Sequence, residues 1–277
     1  MKKYVLLVIL CLGACRPAKN YPDPVLPRYA GAARVLNAPA SGDTLRIVSF
    51  NIEYAKETRR AAGILSTAPE LKNADIILLQ EMTAPATRFL ADSLHLRYVY
   101  YPAIYNRILR RDFGNAILSR WPIVADAKLI LPGRSRYAKT QRIATAATVQ
   151  VGARQVRVYS THLGTPIDLG WEGRVAQLGG ILDDAARYPV VIIGGDMNNK
   201  DIGRIAREAG YVWPTDTIPQ SNAYGRLDHF FVRGLAVVEA EGVGTHRVPR
   251  SVSDHHPIWI RLRSAARGIA SCCEEGS

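Results

Sequence analysis

Sulfur and phenylalanine are scarce in this 277-residue chain, which has four cysteines, three methionines and five phenylalanines. No two cysteines are spaced as CxxC, so thiolate metal ligation and dithiol redox chemistry have no motif to rest on. Cys11 lies in the N-terminal apolar run, Cys15 just beyond it, and Cys272 and Cys273 adjoin near the end. Four cysteines so placed make no disulfide framework. Long hydrophobic runs are missing as well. The one candidate, residues 4–14, is too short to cross a bilayer as a helix, which excludes a polytopic membrane protein. There is neither a short-period repeat nor a low-complexity tract, so fibrous and repeat architectures drop out. Acidic residues are few: 24 Asp and Glu stand against 36 Lys and Arg, for a net charge of +12. Such a surface suits a polyanion or an anionic headgroup layer. What remains, 48% hydrophobic residues over this length, is enough for one large core.

The N-terminus reads as an address. Lys2 and Lys3, a short apolar run and small residues before a cut describe a secretory signal. Leu12-Gly13-Ala14-Cys15 resembles the bacterial lipoprotein box. That resemblance implies loss of residues 1–14, lipid attachment at Cys15 and an exported, membrane-anchored lipoprotein. Arg16 in place of Asp after the cysteine then implies the outer membrane or cell surface. Residues 15–43, with Pro17, Pro22, Pro24, Pro27 and Pro39, read as a Pro/Ala-rich tether. Residues 44–263 read as one domain and 264–277 as a disordered tail.

Within 44–263, apolar runs alternate with helical patterns, the mark of an α/β chain. Strands are predicted at 45–52, 76–79, 115–118, 144–151, 155–161, 190–193, 229–232 and 257–262. Helices are predicted at 57–65, 86–94, 171–187 and 202–208. Several strands are almost wholly Val, Ile and Leu, as expected when both faces are buried.

Polar residues follow these strands at once. Asn51 and Glu53 end the first, Glu81 follows the second, and His162 follows Ser160 and Thr161. Asp196 and Asn198 come after Gly194-Gly195, Asp228 and His229 follow Leu227, and Asp254, His255 and His256 follow Ser253. Strand ends of α/β proteins aim side chains into a common crevice. Asn51, Glu81, Asp196, Asn198 and Asp254 offer hard oxygen donors suited to Mg²⁺ or Mn²⁺. His162 and His255 can move protons or donate hydrogen bonds, and Asp228 can orient an imidazole. Taken singly, Asn51 reads as a turn residue, Glu81 as a helix cap and Gly194-Gly195-Asp196 as a tight turn. His95 and His246 read as structural, and His256 as a neighbour of the chemistry. Zinc on His162, His255 and His256 is disfavoured by the oxygen donors around them. Together the set describes metal-assisted attack of water on a phosphoester.

The segments SFNIEY (49–54), LLQE (78–81), FGNAILSRWPI (113–123), STHLG (160–164), IIGGDMNN (192–199), LDHFFV (227–232) and SDHHPI (253–258) resemble, in order, the endonuclease/exonuclease/phosphatase superfamily, the DNase I-like group. The resemblance implies a four-layer α/β/β/α sandwich. It also implies Glu81 as principal metal carboxylate with Asn51 beside it and Asp254 as second acid on the metal side. His255 would act at the scissile phosphate, held in its tautomer by Asp228. Asp196 would orient or deprotonate the attacking water, Asn198 would stabilise the oxyanion, and His162 would donate to phosphate or act as an acid. Asn115 and Arg142 are expected to bind substrate. No core residue departs from the pattern, whereas a binding lipoprotein on a retired enzyme fold predicts broken chemistry.

Two basic stretches, Arg107, Arg110 and Arg111, then Arg134, Arg136, Lys139 and Arg142, favour nucleic acid over a lipid headgroup as the phosphoester substrate. Tyr98, Tyr100, Tyr101 and Tyr105 read either as base-stacking residues or, preferred here, as strand residues with wet hydroxyls. Export removes chromosomal repair from consideration. Arg174 and Gln177 read as structural, and the chain is expected to act as a monomer.

Overall fold

A computed structural model describes residues 17–36, 43–238 and 242–264. The signal segment, Cys15 and residues 265–277 of the expected tail lie outside the described residues.

Apolar residues alternate within each predicted run, and that alternation builds the layers. Ile47, Ile76, Leu78, Val158, Ile192 and Phe230 meet in one buried cluster between two sheets. Their immediate neighbours Val48, Ile77 and Leu79 pack instead with Ala61, Leu65 and Leu90. Val191, Ile193 and Phe231 pack with Leu178, Ile181 and Ala206. Strands apolar on both faces thus leave helices outside each sheet, and the result is the four-layer α/β/β/α sandwich.

The chain order is β1 (Ala18–Asn20), β2 (Tyr29–Ala32), β3 (Thr44–Asn51), α1 (Thr58–Thr67), β4 (Ile76–Met82), α2 (Ala84–Leu94), β5 (Arg97–Asn106), β6 (Arg111–Ser119) and β7 (Ile123–Ile130). It continues with β8 (Ile143–Val151), β9 (Arg154–His162), α3 (Trp171–Ala185), β10 (Val191–Asp196), α4 (Gly203–Glu208), β11 (Asp228–Arg233), β12 (Leu235–Val237), β13 (Val243–Thr245) and β14 (Ile258–Ser264). The first sheet runs β1-β5-β6-β4-β3-β14-β12, with β2 also on β5 and β13 on β14; the second runs β11-β10-β9-β8-β7.

Four expectations need correction. Part of the tether is folded: β1 and β2 pair antiparallel with β5, so the domain begins well before residue 44. Pro- and Ala-rich composition does not report that an edge strand elsewhere has free backbone groups to pair. Strand β5 itself was not predicted, because Pro102 breaks the pattern; it is tolerated at a shift of register between Pro102 and Ile104. The tyrosines of β5 are strand residues, but the hydroxyls of Tyr100 and Tyr101 are not wet. Both rings are buried, and these hydroxyls donate to Met82 O at 2.9 Å and Asp126 Oδ1 at 2.5 Å. Neither can stack a base. The fourteenth strand also takes in Ser264, the first residue assigned to the tail.

Register brings the polar strand ends together. Strands β3 and β4 are parallel, with Asn51 opposite Gln80, and β9 and β10 are parallel, with His162 opposite Asp196. Their C-terminal ends therefore share one edge of the sandwich. Asp228 faces Asp196 across the antiparallel pair β10–β11. Strand β14 enters opposite Ser49, so residues 253–256 lie just past Asn51. Beneath them Gln80 Nε2 donates to Ser160 Oγ at 3.0 Å, a polar staple between the sheets.

Buried His229 is part of this scaffold. Its Nδ1 accepts from Trp213 Nε1 at 3.1 Å and its Nε2 lies 2.9 Å from Asn199 O, which fixes a neutral tautomer. Burial lowers its pKa to about 4. The unfolded chain takes up this proton near pH 6.5 and the folded one near 4, so stability is held above pH 6.5 and drains as pH falls between them. The full difference is about 3 kcal/mol. Urea midpoints at pH 7 and pH 5 should differ measurably, and His229→Gln should flatten that difference.

Candidate active site

Glu81 is the pivot of the first sheet's contribution. It sits where the β4–β6 register shifts, with φ at 60°, a left-handed conformation rare outside glycine. Tyr54 and Asn198 are left-handed too, at 57° and 50°. Such residues persist only where surroundings over-determine them, and they gather at functional sites. The twist aims the Glu81 carboxylate inward, where Oε1 accepts from Asn51 Nδ2 at 3.2 Å and Oε2 from Tyr54 N at 2.8 Å. Asn51 Nδ2 also donates to Asp196 Oδ2 at 3.1 Å. Asn51 thus shows its nitrogen to two carboxylates, while its oxygen accepts from Glu53 N at 3.1 Å. Ligating a cation through that oxygen requires the amide to flip. Burial raises the Glu81 pKa, and the field of Asp254 adds to it against Asn51, Tyr54 and Arg142.

The second sheet contributes the imidazole chemistry. His255 Nδ1 lies 2.8 Å from Asp228 Oδ2, and His255 Nε2 lies 3.5 Å from Asp196 Oδ2. Burial disfavours a charged imidazole, but Asp228 and Asp196 outweigh it and raise His255 to about 10. Burial in turn pushes Asp196 up to about 7, against the pull of His255. His255 is an imidazolium clamped between two acids. His162 differs. It lies 3.4 Å from Asp196 Oδ2 and 3.8 Å from Glu81 Oε1, and burial, then Arg142 and His255, hold it well below its ordinary value. It is neutral near pH 7, a hydrogen-bond partner and not an acid.

Gly195 makes the β10 end possible: at φ 143° a Cβ would overlap the carbonyl oxygen of Thr161. Asn198 N then donates to Asp196 Oδ1 at 2.9 Å, and its Nδ2 to Leu163 O at 3.0 Å, leaving one amide hydrogen for a ligand.

The other expected residues divide. Arg142 is the last residue of its basic loop, just before β8, but its half-buried side chain turns inward, stacked 5.6 Å from the Phe113 ring and in the field of Glu81 and Asp196. Asn115 is on strand β6, within the predicted run; its Nδ2 donates to Ile143 O at 2.9 Å. Arg174 and Gln177 are structural, donating to Leu169 O and Pro132 O from α3. His246 meets Glu70, His95 ends α2, and His256 Nδ1 accepts from Val248 N. Asp254 faces Glu81 electrostatically, and its backbone is held by Asn222 Nδ2.

Four further residues support the site. Ser253 Oγ donates to Asn51 O at 2.7 Å and accepts from His255 N, tying β14 to β3. Ser221 Oγ accepts from Asp228 N, Asn222 bridges to His255, and the Phe113 ring lies 5.8 Å from His162. Ser253 and Phe113 stand inside recognisable segments; Ser221 and Asn222 carry no local signal.

The residues present fit a divalent cation. Glu81, Asp196 and Asp254 supply carboxylate oxygen at the Glu81 side, and Asn51 adds an amide oxygen once flipped. Four buried polar atoms around the same crevice have no hydrogen-bond partner among the described residues: His162 Nδ1, Arg142 Nη1, Asp228 Oδ1 and Asn115 Oδ1. Each such orphan costs about 1–3 kcal/mol; the acceptors Asp228 Oδ1 and Asn115 Oδ1 suit a cation or a donor, whereas Arg142 Nη1, a donor, suits an anionic group such as a phosphoryl oxygen. A tighter group, Asp196, Asp228 and His255, also has ligand-type atoms within 4.8 Å of one another. Its short His255–Asp228 bond already accounts for that closeness.

Among solved structures the chain is similar to the endonuclease/exonuclease/phosphatase from Beutenbergia cavernae DSM 12333, at 22% identity, TM-score 0.63, covering 80% of this chain and 72% of that one. D. rerio TDP2 complexed with single strand DNA product gives 15% identity and TM-score 0.62 over 80% and 99% of the two chains. The human Nocturnin catalytic domain with bound sulfate anion gives 19% and 0.61 over 86% and 98%. At these identities the likeness speaks for the fold alone. No curated protein matches the chain. The model of the Endonuclease/Exonuclease/phosphatase family matches residues 48–255, and these span the site from β3 to His255. This chain belongs to the Endonuclease/Exonuclease/phosphatase family.

Proposed function

We propose that the chain is an exported, Cys15-lipidated phosphodiesterase that uses Mg²⁺ or Mn²⁺. The observation that carries the reading is the His255 imidazolium, held by Asp228 at 2.8 Å with Asp196 at its other nitrogen. A cation held by Glu81, Asp254 and a flipped Asn51 would neutralise phosphate charge and stabilise the leaving oxygen. His255 Nε2–H donates to a phosphoryl oxygen as charge builds there. Asp196 accepts a proton from the attacking water, a task its raised pKa suits. The spare Asn198 hydrogen, neutral His162 and Arg142 Nη1 supply donors to the remaining phosphoryl oxygens.

The substrate has two readings. Exposed Arg107, Arg110, Arg111, Arg134, Arg136 and Lys139 favour nucleic acid, and a DNA product in the TDP2 relative is consistent with it. Exposed apolar side chains among those same cations favour a lipid headgroup. The full chain should be assayed with Mg²⁺ or Mn²⁺ on plasmid DNA, RNA, sphingomyelin and a soluble phosphodiester, with His255→Ala as blank. Hydrolysis that vanishes in the blank is the expected result. Equal hydrolysis in the blank would sink the assignment, and the substrate turned over selects the branch.

A further inference from the structure

We infer that the rim of the active-site crevice is a docking surface for an anionic lipid bilayer. The inference deepens the reading above, since it places the phosphodiester to be cut at the membrane interface.

The rim is traceable bond by bond. Arg111, at the tip of the β5–β6 hairpin, donates to Tyr54 O at 3.2 Å, and Tyr54 N donates to the Glu81 carboxylate. Hairpin residues 106–111 therefore overhang the crevice. Beside them Asn20 of β1 donates to Lys139 O at 2.9 Å, and Arg136 N donates to Asp168 O at 2.9 Å. The loops 133–140 and 164–170 are thus joined to the hairpin edge, and 164–170 follows His162 directly.

These rim segments pair exposed apolar side chains with cations. Ile108 is 76% exposed and Leu109 38%, between Arg107 and Arg110. Tyr137, at 69%, lies between Arg136 and Lys139, and Ile167, at 76%, stands on the next loop. Tyr224, at 89%, is two residues from the Asn222–His255 bridge on the opposite side of the crevice. The acids nearby are engaged: Asp112 accepts from Tyr21 and Asp168 from Thr165. Apolar tips set among cations that make no ion pair among the described residues match an interface whose outer layer is anionic and whose inner layer is hydrocarbon. Nucleic acid would use the cations and leave Ile108 and Ile167 in water.

The path of the chain points the same way. Pro17 O accepts from Arg107 N at 2.8 Å, and Ala18 is already opposite Asn106. From Cys15 to Ala18 the backbone spans at most about 11 Å. A lipid on Cys15 would hold this hairpin at the bilayer, where a long tether would leave the domain free to turn. A headgroup phosphodiester would reach such a mouth without leaving the interface.

The test uses the full chain extracted from membranes. The mass of its N-terminal peptide reads acylation at Cys15, which examines the anchor by itself. Backbone hydrogen exchange is then compared on vesicles of phosphatidylglycerol with phosphatidylcholine and on phosphatidylcholine alone. Exchange in 106–111, 133–140 and 164–170 should slow on the anionic vesicles. The protection should weaken at 1 M salt, where the Debye length falls to about 3 Å. Ile108→Glu and, on a separate loop, Ile167→Glu should each reduce the protection of its own loop on the anionic vesicles about tenfold. Neither should change hydrolysis of a soluble phosphodiester. Exchange at these loops that is the same on both vesicles overturns the docking surface, even if Cys15 carries lipid. Protected loops with an unmodified Cys15 support the surface and overturn the anchor.

Discussion

Asp228→Asn should lower kcat by about 10²–10⁴ and move the alkaline limb of the pH profile toward neutrality. The acid's role is electrostatic and orientational. Asp228 is buried, bonds His255 Nδ1 at 2.8 Å, and is, after burial itself, the foremost influence on that imidazole. With both acids ionised, His255 stays protonated to about pH 10 and can donate throughout the neutral range. Asparagine can still accept the Nδ1–H bond but contributes no charge, so the imidazolium loses its proton at lower pH. Stability should follow the same sign. A raised imidazole pKa stabilises the folded chain fully below the unfolded value near 6.5, and that contribution is lost as pH rises through 10. The variant should therefore lose stability at pH 6 and little at pH 11. If Asp228→Asn were faster than wild type near pH 7, His255 would be working as a neutral base and the imidazolium reading would fail.

Glu81→Gln should abolish the response to Mg²⁺ and lower activity by about 10³ or more, with no loss of stability in metal-free buffer. The wild-type carboxylate is costly to bury, lies in the field of Asp254, and has its pKa raised accordingly. Glutamine keeps one acceptor, for Tyr54 N, and turns an amide donor toward Asn51 Nδ2, so the removal of the charge is set against the loss of one hydrogen bond. Metal-free melting temperature should hold or rise, as expected when a buried charge with like-charged neighbours is neutralised. In the wild type, Mg²⁺ at about 100 times its Kd should add about 2.7 kcal/mol of stability. Thermal melts with and without Mg²⁺ read both effects without an activity assay. A Mg²⁺ shift that survives in Glu81→Gln would move the cation to the Asp196, Asp228 and His255 group.

The predicted strands and helices match the observed ones closely where both faces of a strand are apolar or a helix has a clear stripe. Strands at 76–79 and 190–193 were legible because Val, Ile and Leu fill every position. Where composition is mixed, the local signal fails. Strand β7 carries Ala, Asp and Lys, and β5 carries Pro102, yet each pairs along its length because a neighbour offers a register. The same cause misplaced the tether: β1 and β2 are strands only because β5 has an edge to give them.

The sequence by itself determined the fold family, the layers and the chemical identity of the crevice, because these rest on residue types in a fixed order after apolar runs. Asn51, Glu81, His162, Asp196, Asn198, Asp228, Asp254 and His255 are all at the strand ends where that order put them. Tertiary structure alone decided how they work. The same histidine side chain is an imidazolium at 255, a neutral partner at 162 and a scaffold group at 229. Burial and the charges brought within a few ångströms by strand register set those states, and neither quantity is local in sequence. Tertiary structure also turned the Arg142 side chain from its loop toward Glu81 and Asp196, and brought Pro17 and Ala18 against the hairpin above them.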